Sequence, residues 1–149
     1  MTTRVSISQV FDLSVDDVFE FFGDHEKFGS LLPVPVTRIV NSPDENPNGV
    51  GSVRKVGIGP LGVEETILTW NQSSQIQYTI SKGAGPIKNY LATISFSAIS
   101  ANQCQLDYDI EFDFAIPLVG ALVGKGMKTA FEGAMKSLAA SPMKIVQAI

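Results

Sequence analysis

Arg54 and Glu65 are the two residues of this chain whose charges and spacing could do chemistry together. They flank Gly59-Pro60-Leu61-Gly62, a tight-turn signal between two strand-like runs. A turn that pairs Ile58 with Val63 sets Val56 opposite Glu65 and puts Arg54 diagonally beside the glutamate. Ser52, Arg54, Val56 and Ile58 then share a face with Val63, Glu65 and Ile67. That face is the more apolar one, so an inward ion pair could hold the polar end of a ligand. The alternative is a surface cross-strand salt bridge contributing about 0–1 kcal/mol. A slip of one residue would turn Lys55 and Glu64 inward instead.

Three tyrosines and several other large side chains supply the next candidates. Tyr78, Tyr90, Phe96, Tyr108 and Phe112 fall on the inward positions of their strands, and Met127 and Phe131 on a helix facing them. Mostly apolar with a few phenol hydroxyls, this is the mixture a small-molecule pocket requires, although the same alternation serves a solid core. His25 is the single histidine, set between Asp24 and Glu26 at a helix start, and reads as a solvated residue. No second His or Cys lies at metal-ligand spacing, so no metal is assigned. Ser14, Ser30 and Ser52 have no nucleophile-elbow context, and Gly49-Val50-Gly51 leads into no phosphate-binding helix. Cys104 reads as a structural thiol. No catalytic residue and no cofactor is assigned.

The elements that must position these groups follow from periodicity. Residues 117–140 form the longest helical pattern, with Val123, Gly126, Met127, Ala130, Phe131, Ala134 and Leu138 on one face of a 3.6-residue wheel. Lys125, Lys128, Thr129, Glu132 and Lys136 occupy the other, and Pro117 suits the start. Gly124, Gly126 and Gly133 each cost about 1 kcal/mol relative to Ala in a helix interior. A helix that tolerates them needs a thin face, for close backbone approach or for space beside it. Residues 143–149 read as an extra turn or a frayed tail after Ser141-Pro142.

Upstream, residues 4–11 read as a strand, followed by a helix capped by Ser14 and ended by Gly23. Asp24 caps a second short helix, which Gly29 and Leu31-Leu32-Pro33 close. Strands are expected at 36–41, 51–58, 63–71, 75–82, 89–99 and 104–116, joined by short connections that imply antiparallel neighbours. The last two alternate most regularly, with Tyr90, Ala92, Ile94, Phe96 and Ala98 inward on one and Leu106, Tyr108, Ile110, Phe112 and Phe114 on the other. Trp70 and Leu68 fall on the face opposed to Ile67. Either a bulge rotates them, or they cover the outer surface and point to a homodimer contact.

Whole-chain quantities narrow the function classes. At 149 residues the chain fits one domain able to bury a core without disulfides. With 11 Lys and Arg against 15 Asp and Glu the formal charge is −4, and no basic cluster appears, which argues against nucleic acid as a partner. One cysteine and no secretory segment make a cytoplasmic location the expectation. No apolar run approaches the roughly 18 residues of a membrane span.

The order is strand, two short helices, six antiparallel strands, one long helix. Together with the Val10-Phe11-Asp12-Leu13-Ser14-Val15-Asp16-Asp17-Val18-Phe19-Glu20-Phe21-Phe22 opening, residues 49–54 (Gly-Val-Gly-Ser-Val-Arg), Glu65 and Tyr78, it resembles the START-like superfamily, also known as SRPBCC or birch-pollen-allergen-like, in its polyketide cyclase/dehydrase-type branch. The resemblance runs from residue 5 to about 140. It implies an α+β helix-grip fold: a curved antiparallel sheet of about seven strands wrapped around the C-terminal helix. It also implies an internal cavity for a small hydrophobic molecule of lipid, polyketide or aromatic type, lined here by Arg54, Glu65, Tyr78, Tyr90, Phe96, Tyr108, Phe112, Met127 and Phe131. Two alternatives stand beside a carrier: a cyclase or dehydratase-like enzyme using a tyrosine or Glu65 for proton transfer, and a co-chaperone-like interaction module.

Overall fold

The computed structural model describes residues 2–30, 34–116 and 118–148. Local signals start and stop most elements. Strand β1 spans Thr2–Phe11, with Val5, Ile7 and Phe11 buried at alternate positions. The Ser14 hydroxyl accepts from the Asp17 amide at 3.2 Å and begins α1, Val15–Gly23. Asp24 then caps α2, His25–Gly29, by accepting from the amides of Glu26 and Lys27, both at 3.0 Å. Leu31, Leu32 and Pro33, expected to close this segment, lie outside the described residues.

Six strands follow: β2 (Val36–Val40), β3 (Val53–Val56), β4 (Val63–Asn71), β5 (Gln75–Lys82), β6 (Ile87–Ser100) and β7 (Gln103–Phe114). They form one curved antiparallel sheet in the order β1-β7-β6-β5-β4-β3-β2, a meander closed at one edge by the first strand. The long helix α3 covers Val119–Ala139 and packs mainly on β1, while a final turn, α4 (Met143–Ala148), returns to α1. This is the α+β helix-grip arrangement that the element order implies. The expected start at Pro117 lies outside the described residues.

Four details differ from the sequence reading or decide between its alternatives. On α3 the buried stripe is Gly120, Gly124, Met135 and Leu138, with Val123, Met127 and Phe131 half-buried, whereas Gly126 and Ala130 face outward. The helix is rotated towards its glycines because β1 comes so close there. A Cβ on Gly124 would lie 2.6 Å from Thr3 Cγ2, and one on Gly120 would lie 2.9 Å from Thr3 Oγ1. Strand β3 is shorter than expected and pairs Val56, not Ile58, with Val63. Gly57 and Gly59 take positive φ and draw Ile58 into the turn. The register moves by two residues, which preserves the faces and sets Arg54 directly opposite Glu65.

The third detail is a bulge between Ile67 and Thr69, which turns Trp70 onto the core, edge-on to Phe19 at 5.1 Å and over Gly23. Leu68 alone stays exposed, so the paired surface that would have pointed to a homodimer is not formed. Finally, Ala98 is exposed, because the ladder between β6 and β7 slips between Ala98 and Ser100.

Candidate functional site

Ser52, just before β3, and Arg54 within it both reach side chains of α2. Residues two apart on an extended chain share a face, as do residues three apart on a helix, so two contacts form side by side. His25 Nε2 lies 3.3 Å from the Ser52 hydroxyl, and the Phe28 ring lies under the Arg54 guanidinium, 4.2 Å from its carbon. The Tyr78 ring, edge to face with Phe28 at 6.5 Å, also contacts that guanidinium, 4.5 Å from its carbon.

Arg54 is only 2% exposed and Glu65 only 8%. The Arg54 Nε donates to Glu65 Oε2 at 2.6 Å, a short charge-assisted bond across the β3–β4 ladder. Burial pulls the guanidinium pKa down, but the Glu65 carboxylate and the neighbouring tyrosines outweigh it, and the net shift is upward. The cation is therefore permanent. Its Nη2 is buried with no hydrogen-bond partner among the described residues.

Around this pair lies a ring of aromatic groups. The Tyr78 and Tyr108 hydroxyls meet in a hydrogen bond, and the two rings are edge to face at 6.5 Å. Tyr90 stacks on Phe112 at 6.3 Å and tilts against Tyr78 at 6.2 Å. Phe131 of α3 reaches Tyr108 at 5.4 Å. Burial pushes all three phenols above their ordinary pKa, so each holds its proton as a hydrogen-bond donor.

The structure thus brings Arg54, Glu65, Tyr78, Tyr90, Tyr108, Phe112 and Phe131 together, with Met127 half-buried on the helix beside them. Phe96 stands apart, packed on Phe19 at 4.9 Å and Phe22 at 6.3 Å under α1. Phe28 belongs to the cluster and was not anticipated. The signal for it lies in the helix frame, since Asp24 and Gly29 bound a single turn that puts His25 and Phe28 on one side.

His25 corrects the sequence reading. It is fully buried, not solvated, because the Asp24 cap turns it under the sheet, where its amide donates to Asn48 Oδ1 at 3.4 Å. Desolvation above all, then the charges of Arg54 and Arg38, lowers its pKa to about 3. The ring is neutral at physiological pH. A hydrolytic triad is not assembled here, because the Asp24 carboxylate is occupied in capping α2. Cys104 is buried and its thiol is pushed up to about 11 by desolvation, which makes it inert.

Clefts lie elsewhere among the described residues. One of about 440 Å³ is bordered by Phe21, Ser30, Ala134, Leu138 and Lys144, and one of about 370 Å³ by Thr3, Phe114, Ile116, Leu118 and Gly120. Neither is lined by the Arg54 cluster. No described helix is long and apolar enough to cross a membrane.

Sheet, grip helix and buried pair define an α+β domain of the helix-grip class. The family described as polyketide cyclase/dehydrase and lipid transport matches residues 2–141, and the chain belongs to it. It is 23% identical over 126 residues to the persistence and stress-resistance toxin PasT of Escherichia coli O6:H1, covering 84% of this chain and 77% of the toxin. Among solved structures, a START superfamily protein from Mycobacterium smegmatis superposes with a TM-score of 0.70 at 15% identity, covering 91% of this chain and 98% of that one. Norcoclaurine synthase from Thalictrum flavum, in complex with dopamine and hydroxybenzaldehyde, gives 0.67 at 17% identity, covering 93% and 86%. At these identities the likeness is one of fold.

Proposed function

We propose that the protein holds a small, mostly apolar molecule between the sheet and α3, and orients it through one hydrogen-bond acceptor placed on Arg54 Nη2. The observation that carries this reading is the buried, unpartnered N–H of that guanidinium, since a native interior rarely leaves a donor unpaired. Because Glu65 already balances the charge, a neutral carbonyl-type oxygen suits the vacant donor better than a second carboxylate. The Tyr78 and Tyr108 hydroxyls, bonded to each other, would offer the ligand oxygen a second donor. Proton-holding phenols favour binding over acid–base chemistry.

Room for the molecule comes from the helix. Met135 and Leu138 seal the far end of α3, while Val123, Met127 and Phe131 pack against the core yet keep partial exposure, so the middle of the helix is the side that yields. The family's lipid-transport description agrees with a carrier.

The test is native mass spectrometry of freshly purified protein, followed by solvent extraction of whatever is released. We expect a co-purifying apolar compound that Phe131→Ala loses while still folded. A clean apo mass, with no thermal shift from fatty acids, sterols or aromatic polyketides, would refute the reading.

A further inference from the structure

One end of the sheet has a surface unlike the rest. The β3–β4 turn, the β5–β6 turn and the β7–α3 connection all emerge there. The Gly57 amide donates to Pro35 O at 2.9 Å and the Ala115 amide to Pro86 O at 3.0 Å. Gly83 lies so near Gly62 that an added Cβ would be 2.9 Å from its carbonyl oxygen. From these connections project Ile58 at 75% exposure, Ile116 at 54% and Leu118 at 89%, with Leu122 at 72% one turn into α3. The 370 Å³ cleft is bordered by Ile116 and Leu118.

Leu118 makes the point most sharply. It holds the N-cap of α3 in the left-handed region, φ 69°, with no side-chain cap bond. Asn or Asp would be favoured there on both counts, and a bare leucine sacrifices local stability to put an apolar side chain in water. Backbone strain of this kind collects at functional positions.

Charge is divided along the same axis. Around the apolar end stand Lys55, Lys82, Lys88 and Lys125 against Glu64 and Asp113, while the Arg4 and Glu111 ion pair nearby is neutral. The opposite end, with the α1 entry and the β2–β3 loop, carries Asp12, Asp16, Asp17, Asp44 and Glu45. The cation near these acids is Arg38, engaged with Asn41 and Asn48. A chain of net charge −4 thus presents a cationic, apolar-tipped pole.

We propose that this pole docks on an anionic phospholipid surface, its isoleucines and leucines entering the interface while the lysines meet the head groups. Tips carried on separate connections suit a deformable lipid surface better than a rigid complementary protein face, which would need one contiguous patch. The proposal stands apart from the ligand reading, since it concerns exposed side chains that do not touch the Arg54 cluster.

The experiment is vesicle flotation of the full chain with phosphatidylcholine alone and with added phosphatidylserine. We expect association with the anionic vesicles that weakens as salt rises. The double variant Leu118→Asn/Leu122→Asn should lower the partition coefficient at least about tenfold, since it removes most of the insertable apolar area. Lys82→Gln/Lys88→Gln should abolish the preference for phosphatidylserine while leaving the thermal midpoint in place. Flotation with neither vesicle, or equal flotation of wild type and the leucine variant, would overturn the proposal. So would a sedimentation shift from dimer to monomer in that variant, which would assign the surface to a second copy of the chain.

Discussion

Replacing Arg54 by Met is the perturbation that questions the site most directly. The side chain gives up a 2.6 Å charge-assisted bond to Glu65 and two ring contacts, at 4.2 Å with Phe28 and 4.5 Å with Tyr78. Truncating one partner of a buried ion pair costs about 3–5 kcal/mol, chiefly because the surviving charge is left without its counterion. Ring contacts of this kind add roughly 0.5–2 kcal/mol each. For a domain of marginal stability the sum is a large share of the total. Glu65→Met strands the guanidinium in the same way but keeps the rings around it, so it should cost somewhat less.

The double variant Arg54→Met/Glu65→Met removes both charges and leaves two apolar side chains among aromatic neighbours. It should recover most of the loss, since well-packed apolar replacements of buried pairs are often neutral or stabilising. The assay is urea unfolding of all four proteins, with circular dichroism and Trp70 fluorescence as probes. Trp70 reports on the core because it lies against Phe19. A coupling energy of at least about 2 kcal/mol, little changed by salt, is expected. Coupling below about 0.5 kcal/mol, or coupling that salt removes, is the behaviour of an exposed pair and would refute the buried-cation argument.

Two further outcomes follow from the same structure. Gly124→Ala should destabilise by about 1–3 kcal/mol in thermal unfolding, because its Cβ would meet Thr3 Cγ2 at 2.6 Å and lift α3 from β1, whereas Gly126→Ala, with open space around it, should stabilise by about 0.5–1 kcal/mol; the reverse order would sink the close-approach account of the helix. His25 binds a proton in the unfolded chain below about pH 6.5 but in the fold only near pH 3, so its contribution is complete above the higher value and is lost as pH falls through the window, by roughly 4–5 kcal/mol at most; His25→Gln should flatten the denaturant midpoint between neutral and mildly acidic buffer relative to wild type, and parallel profiles would contradict the burial.

Alternation marks β4 through β7 in the sequence because both faces of each strand are chemically distinct, and β4 and β5 begin and end where turn residues predict. The caps of α1 and α2 are equally legible, since Ser14 and Asp24 act through bonds to amides two and three residues on. What escapes is set by tertiary contact. Counting Gly126 and Ala130 as apolar turns the helix wheel away from Gly120 and Gly124, whose role depends on where Thr3 comes to rest. His25 reads as solvated because its neighbours in sequence are acids, while its neighbours in space are Ser52 and Asn48. Arg54 and Glu65 could be matched in type, but their direct opposition required knowing that Gly57 to Gly59 would draw two residues out of the ladder.

The contacts of α2 explain why the site and the fold cannot be separated here. Five residues are too few for a helix to persist by propensity, so its place must come from packing. Besides resting on β2 and α1, α2 meets the site through His25 on Ser52 and Phe28 on the Arg54 guanidinium. The guanidinium is in turn held in place by Glu65 and Tyr78. A ligand oxygen arriving at Nη2 would therefore bind a cation that already anchors an element of the fold, and binding there should tighten α2 together with the pair. On the proposed reading α2 would therefore tighten or loosen with the occupancy of Arg54, which would give this single-turn helix a part in holding the ligand.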